Sequence, residues 1–148
     1  MFHNGDLENM KDWNSDNGAF GDFVFFSGEE NCSFINSGSF TYELDDDLIE
    51  NDISAWRLEY EHNVLENADA VKYLEFIAIR FDCDTEQALR YLTEEDNYLG
   101  EAELSWELQK HQAHLCKIFG YDCVRVHDEN GVVSMIDMTK HLNNLVRI

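Results

Sequence analysis

The dipeptide Asn130-Gly131 constrains the fold of this chain more than any other feature. Asn-Gly suits the two left-handed positions of a tight hairpin turn. Here it stands between two β-favouring runs, Tyr121 to Val126 and Val132 to Met138. A two-residue loop at Asn130-Gly131 would put Asp128 opposite Val133, inside the ladder and not at its tip. Side chains alternate across a strand, so Val124, Val126 and Asp128 share one face, and Cys123, Arg125, His127 and Glu129 share the other. A carboxylate on a valine face belongs at the margin of a core or in a cleft. From this segment alone Asp128 reads first as an ordinary acidic residue beside a turn. A functional role needs support from elsewhere in the chain.

The start of the chain is also strand-like. Met1 to Asn4 fits a short strand, and Asp12 to Gly18, rich in Asp, Asn, Ser and Gly, fits a loop. Phe23-Val24-Phe25-Phe26 has the content of a buried strand. Phe40, Tyr42 and Leu44 alternate with Thr41 and Glu43, the period of a half-buried one. The middle has helical spacing. Val71, Leu74, Ala78 and Phe81 form one stripe behind a cap at Asn67. Asp84 caps a second helix carrying Ala88, Leu89 and Leu92, with Gln87 in the capping-box position. Leu104, Leu108, His111, Leu115 and Phe119 line a third, and Gly120 stands where it should stop. Strands at both ends and helices between them predict a single α+β domain over residues 1–148.

A chain of 148 residues can bury one core, and 44% apolar residues are too many for a disordered chain. No segment approaches the ~20 apolar residues of a membrane-spanning helix, and MFHNGDLENMKDW lacks the features of a signal peptide. The expectation is a soluble, intracellular protein. A formal net charge of -21 repels phosphates and anionic membranes, so direct nucleic-acid binding is not expected. Such a surface suits a basic partner or simply keeps the chain soluble. Cys32, Cys83, Cys116 and Cys123 make no CxxC pair and read as reduced, buried thiols. Asp12, Asn14 and Asp16 start like a calcium loop, but Asn17 and Phe23 occupy the positions of its glycine and glutamate. His111 and His114 have no companion ligand motif, so no metal site is expected. Trp56, Tyr60 and Trp106 read as core or interface residues.

Phe2-His3-Asn4-Gly5 resembles the opening strand of the diphtheria-toxin-like and poly-ADP-ribose-polymerase-like transferases, where an aromatic-His-Gly strand borders the NAD cleft. Phe20-Gly21-Asp22-Phe23-Val24-Phe25-Phe26-Ser27 resembles their second signature, Phe-Gly followed by an aromatic strand and a small residue. Their third element is an acid on a late strand. The C-terminal half, with Trp106-Glu107-Leu108-Gln109, Gly120-Tyr121 and Asp128-Glu129-Asn130-Gly131, is similar to the phage anti-CRISPR ADP-ribosyltransferases that disable type I-F complexes. Ordered matches run from Phe2 to Gly131, with residues 49–98 matching loosely. Two departures stand out: Asn4 separates His3 from Gly5, and Phe25 replaces a frequent tyrosine.

The resemblance implies a compact ADP-ribosyltransferase-like fold, in which two small antiparallel-rich sheets form an NAD cleft and the helices pack around them. It implies NAD+ as co-substrate, no metal, and a bacterial host cytosol as the setting. The partner would be the protein subunit of the CRISPR surveillance complex that reads the protospacer-adjacent motif. Asp128 falls on the family's acid, and Glu129 is the nearest candidate base. His3 falls on the histidine that holds the adenosine ribose, and Asn4, Gly5, Phe20, Gly21, Phe23, Phe25 and Ser27 fall around the cofactor. The chemistry asks for such an acid: breaking the nicotinamide–ribose bond leaves an oxocarbenium-like charge that a fixed carboxylate stabilises. Two other readings fit the charge: a non-catalytic acidic DNA mimic, and an ADP-ribosyltransferase toxin acting on another host protein.

Overall fold

The computed structural model describes residues 1–4, 19–20, 22–28, 41–98, 100, 102–128 and 131–148. Eight strands and five helices are described: β1 (Phe2–Asn4), β2 (Ala19–Phe20), β3 (Phe23–Phe26), β4 (Thr41–Glu43), β5 (Asp52–Ser54), α1 (Leu58–Glu61), α2 (Ala68–Arg80), α3 (Thr85–Leu92), α4 (Ala102–Ile118), β6 (Cys123–Asp128), β7 (Gly131–Asp137), α5 (Met138–His141) and β8 (Val146–Arg147). They make two sheets, one ordered β1-β4-β8 and the other β2-β3-β7-β6-β5. Every pairing is antiparallel except β5 with β6. The fold is α+β with two antiparallel-rich sheets, as expected.

The five-stranded sheet is apolar on both faces, and this places two cores. Phe23, Phe25, Val124, Val126, Val133 and Met135 pack with helix residues such as Leu74, Ile77, Leu89 and Leu115. The alternate residues Val24, Phe26, Cys123 and Ile136 pack against Tyr42 of the smaller sheet and Leu44 just after β4. All four residues of β3 are buried, because the strand lies between the helical layer and the second sheet. Each such side chain taken from water contributes about 1.5–3 kcal/mol.

The helices start where their caps stand. The Asn67 side chain accepts the Ala70 amide, and Asp84 accepts that of Gln87. The Gln87 side chain donates to Asp96 rather than closing a capping box on Asp84. Helix α4 stops at Ile118, and Gly120 follows with φ +95°, a conformation that glycine adopts without strain.

The hairpin register differs from the expected one. Asp128 pairs with Gly131, so the two intervening residues are Glu129 and Asn130, and Asp128 sits at the ladder's tip instead of opposite Val133. The reason lies in the core. This register sets Val126 against Val133 and Val124 against Met135, all buried. A loop at Asn130-Gly131 would have set Val124 against Asp137. Gly131 carries the positive φ, +103°, as the first residue of β7. Strands β2, β5 and β8 were not anticipated, and the loop expected at Asp12 to Gly18 lies outside the described residues.

Candidate functional site

Strand β1 joins the two sheets. It pairs along β4, and an antiparallel bridge links Phe2 to Ser27, just beyond β3, through hydrogen bonds of 2.7 and 2.8 Å. His3 is the next residue, and its ring is 1% exposed, between Phe26 and Tyr42. Its Nδ1 lies 2.7 Å from the Phe25 carbonyl. A carbonyl only accepts, so Nδ1 donates, and in a neutral ring Nε2 is then an acceptor. The histidine singled out in the sequence therefore stands, orientationally fixed, at the seam of the sheets. Phe25 contributes its carbonyl here, while the rings of Phe23 and Phe25 lie in the helical-side core.

Asp128 ends β6 two strands away from β3. Phe25 is level with Met135 of β7, and Asp128 is level with Gly131. At strand spacings, the Phe25 carbonyl that holds His3 and the Asp128 backbone differ by roughly 10 Å across the sheet and 13 Å along it. Phe25 is level with Val124, near the start of β6, so the two positions stand four residues apart along the sheet. His3 packs beside Phe26 and Tyr42, whereas Asp128 is in strand register with Val124 and Val126 of the helix-side core. Asn4, Phe20 and Asp128 are described by their backbones only; Gly5, Gly21 and Glu129 lie outside the described residues.

One group near the tip was missed in the sequence. The Glu94 carboxylate accepts the His127 amide at 2.7 Å with one oxygen and meets His127 Nδ1 at 2.8 Å with the other. The Trp56 ring stacks on His127, centroids 4.3 Å apart and planes within 20°. Glu94 also forms part of a cavity of about 370 Å³ with Tyr91, Tyr98, Leu108, Gln112 and His127. No periodicity betrays Glu94, because it lies in the turn after α3.

Other polar groups are bound into the framework. The Tyr73 hydroxyl lies 2.6 Å from His111 Nδ1, and burial pushes the His111 pKa down to about 4, although Glu107 works to raise it. Burial also lowers the His114 pKa. At the opposite end of β6, His141 Nε2 and Asp122 are 2.6 Å apart, and Asp122 accepts the Asn51 amide. The Cys116 and Cys123 thiols are free and buried, and burial pushes both up to about 12. Among the described residues, no group of three His, Cys, Asp or Glu is placed to hold a metal, and no helix is long and apolar enough to cross a membrane.

Comparison with known proteins agrees with this architecture. A family model described as "Anti-CRISPR Type I-F ADP-ribosyltransferase AcrIF11" matches residues 9–144, a stretch that begins after His3. No curated protein sequence matches the chain. A solved structure described as "Crystal structure of an anti-CRISPR protein" superimposes with a TM-score of 0.58 over 100% of this chain and 93% of that one, and the two are 17% identical. That likeness bears on the fold, whereas the family model spans nearly the whole sequence. The chain belongs to the type I-F anti-CRISPR ADP-ribosyltransferase family.

Proposed function

We propose that the chain uses NAD+ to place ADP-ribose on the subunit of a type I-F CRISPR surveillance complex that reads the protospacer-adjacent motif. The family match carries this reading. In this reading the cofactor contacts are the ones the family resemblance assigns to Asn4, Gly5, Phe20, Gly21, Phe23, Phe25 and Ser27. His3, held at Nδ1 by the Phe25 carbonyl, is the residue that the family resemblance assigns to the adenosine ribose.

The Asp128 carboxylate stabilises the positive charge that develops on the other ribose as the bond to nicotinamide breaks. Nicotinamide takes the bonding electron pair and leaves neutral. An acceptor nitrogen, such as a side-chain amide, forms the new bond to the ribose carbon, and Glu129 takes its proton. The ADP-ribose adds a bulky double negative charge to a surface meant for DNA. The formal charge of -21 favours docking on that basic surface.

Asp128→Ala is expected to fold normally and to lose roughly 100- to 1,000-fold in transfer rate. Retention of most of the activity would refute the assignment. The same charge suits a non-catalytic DNA mimic, which would titrate its target one for one without NAD+. A catalytic chain inactivates an excess of target.

A further inference from the structure

We propose that Glu94 is a positioning residue for the transfer, holding the end of β6 so that the backbone of Asp128 keeps one place. This rests on the role given to Asp128 above.

Three observations converge on Glu94. Strand β5 pairs with β6 only from Cys123 to Arg125, so the last residues of β6 have a strand neighbour on one side, β7. The Glu94 carboxylate takes the His127 amide in place of the missing strand, and its second oxygen engages the ring of the same residue. A charge-assisted pair of contacts to one residue fixes direction as well as distance. Trp56, which follows β5, stacks on the His127 ring. His127 is thus held by a carboxylate and by an indole, one peptide unit before Asp128.

Glu94 itself has φ +62° in the turn that ends α3, where glycine is the usual choice because a Cβ is strained there. A glutamate tolerated at such a position is explained by what its side chain holds. Its side chain is 15% exposed, whereas that of His127 is 57% exposed. A tip supported by β7 alone would fray, and an acid carried on a fraying strand loses the near-attack geometry on which its effect depends.

The test uses three variants of the whole chain, with NAD+ and the purified type I-F complex as substrates. Glu94→Gly removes both contacts and also relieves the backbone strain, so the fold is expected to survive with an unchanged or higher Tm. Its kcat is expected to fall roughly 10- to 100-fold with little change in KM for NAD+. Glu94→Gln keeps an oxygen for the His127 amide and should recover much of that loss. Amide hydrogen exchange at residues 127 and 128, read without NAD+ or target, should accelerate in the glycine variant and much less in the glutamine variant. Wild-type kcat in Glu94→Gly overturns the proposal, as does a loss of kcat that follows Tm across the variants. Asp128→Ala, measured beside them, separates the two failures: an active Asp128→Ala sinks the active-site reading itself. An inactive Asp128→Ala beside an active Glu94→Gly sinks only the role of Glu94.

Discussion

Replacing Lys117 with methionine should destabilise the protein through a carboxylate that it never removes. Lys117, on α4, lies 3.0 Å from Asp137 at the end of β7 and 3.4 Å from Asp22 just before β3, so one ammonium ties the helix to two central strands. The Asp137 side chain is fully buried, whereas that of Lys117 is 32% exposed. Burial alone would raise the Asp137 pKa, yet the Thr139 hydrogen bonds and the Lys117 charge hold it below the ordinary carboxylate value. Removing one partner of a buried pair costs about 3–5 kcal/mol, because the other charge stays buried and unpaired. Solvent around the Lys117 head reduces this, and the Thr139 contacts survive, so Lys117→Met is expected to cost about 2–3 kcal/mol at pH 7. In a chain of this length that corresponds to a fall in Tm of roughly 4–12 °C.

The pH dependence gives the sharper reading. A depressed carboxylate supplies stability that is present above its unfolded pKa and lost as pH falls through the lower folded value. In the variant Asp137 titrates higher, so it escapes its unfavourable charge sooner in acid. The deficit of Lys117→Met in urea unfolding should therefore be full at pH 7 and narrow as the pH approaches and passes 4. A deficit below about 0.5 kcal/mol at pH 7, or one that stays constant in acid, would refute the reasoning.

Two further outcomes follow from named groups. His111 is buried neutral with its pKa lowered from 6.5 to about 4, so wild-type stability should decline between those pH values, by about 3 kcal/mol at most. His111→Gln should flatten that part of the urea profile, and an unchanged slope would show that other groups carry it. Gly131 has φ +103°, so Gly131→Ala should cost about 1–3 kcal/mol in thermal or urea unfolding. A neutral result would mean that the hairpin tip adjusts freely.

At two helix caps and in the buried strand, the expectation and the structure agree. Asn67 and Asp84 cap the helices assigned to them, because a short polar side chain before an apolar stripe has few other uses. Phe23 to Phe26 forms the expected buried strand, and Tyr42 of the other sheet and Leu44 just beyond it are buried as expected. The hairpin was readable, but its register was not. Asn130-Gly131 favours one loop on turn chemistry, while pairing Val124 with Met135 favours another, and the core prevailed. Strand β5 escaped notice because Asp52–Ser54 is three residues with no alternation to read, and only its parallel partner β6 makes it a strand. Glu94 was invisible for a related reason, since its partner His127 is 33 positions away in the chain.

The most direct experiment is intact-mass analysis of the type I-F surveillance complex after incubation with substoichiometric amounts of this chain, with and without NAD+. The expected result is one subunit gaining the mass of an ADP-ribosyl group, in amounts exceeding the added chain, only when NAD+ is present. Loss of DNA binding with no mass change, in proportion to the chain added and regardless of NAD+, would contradict the proposed transfer.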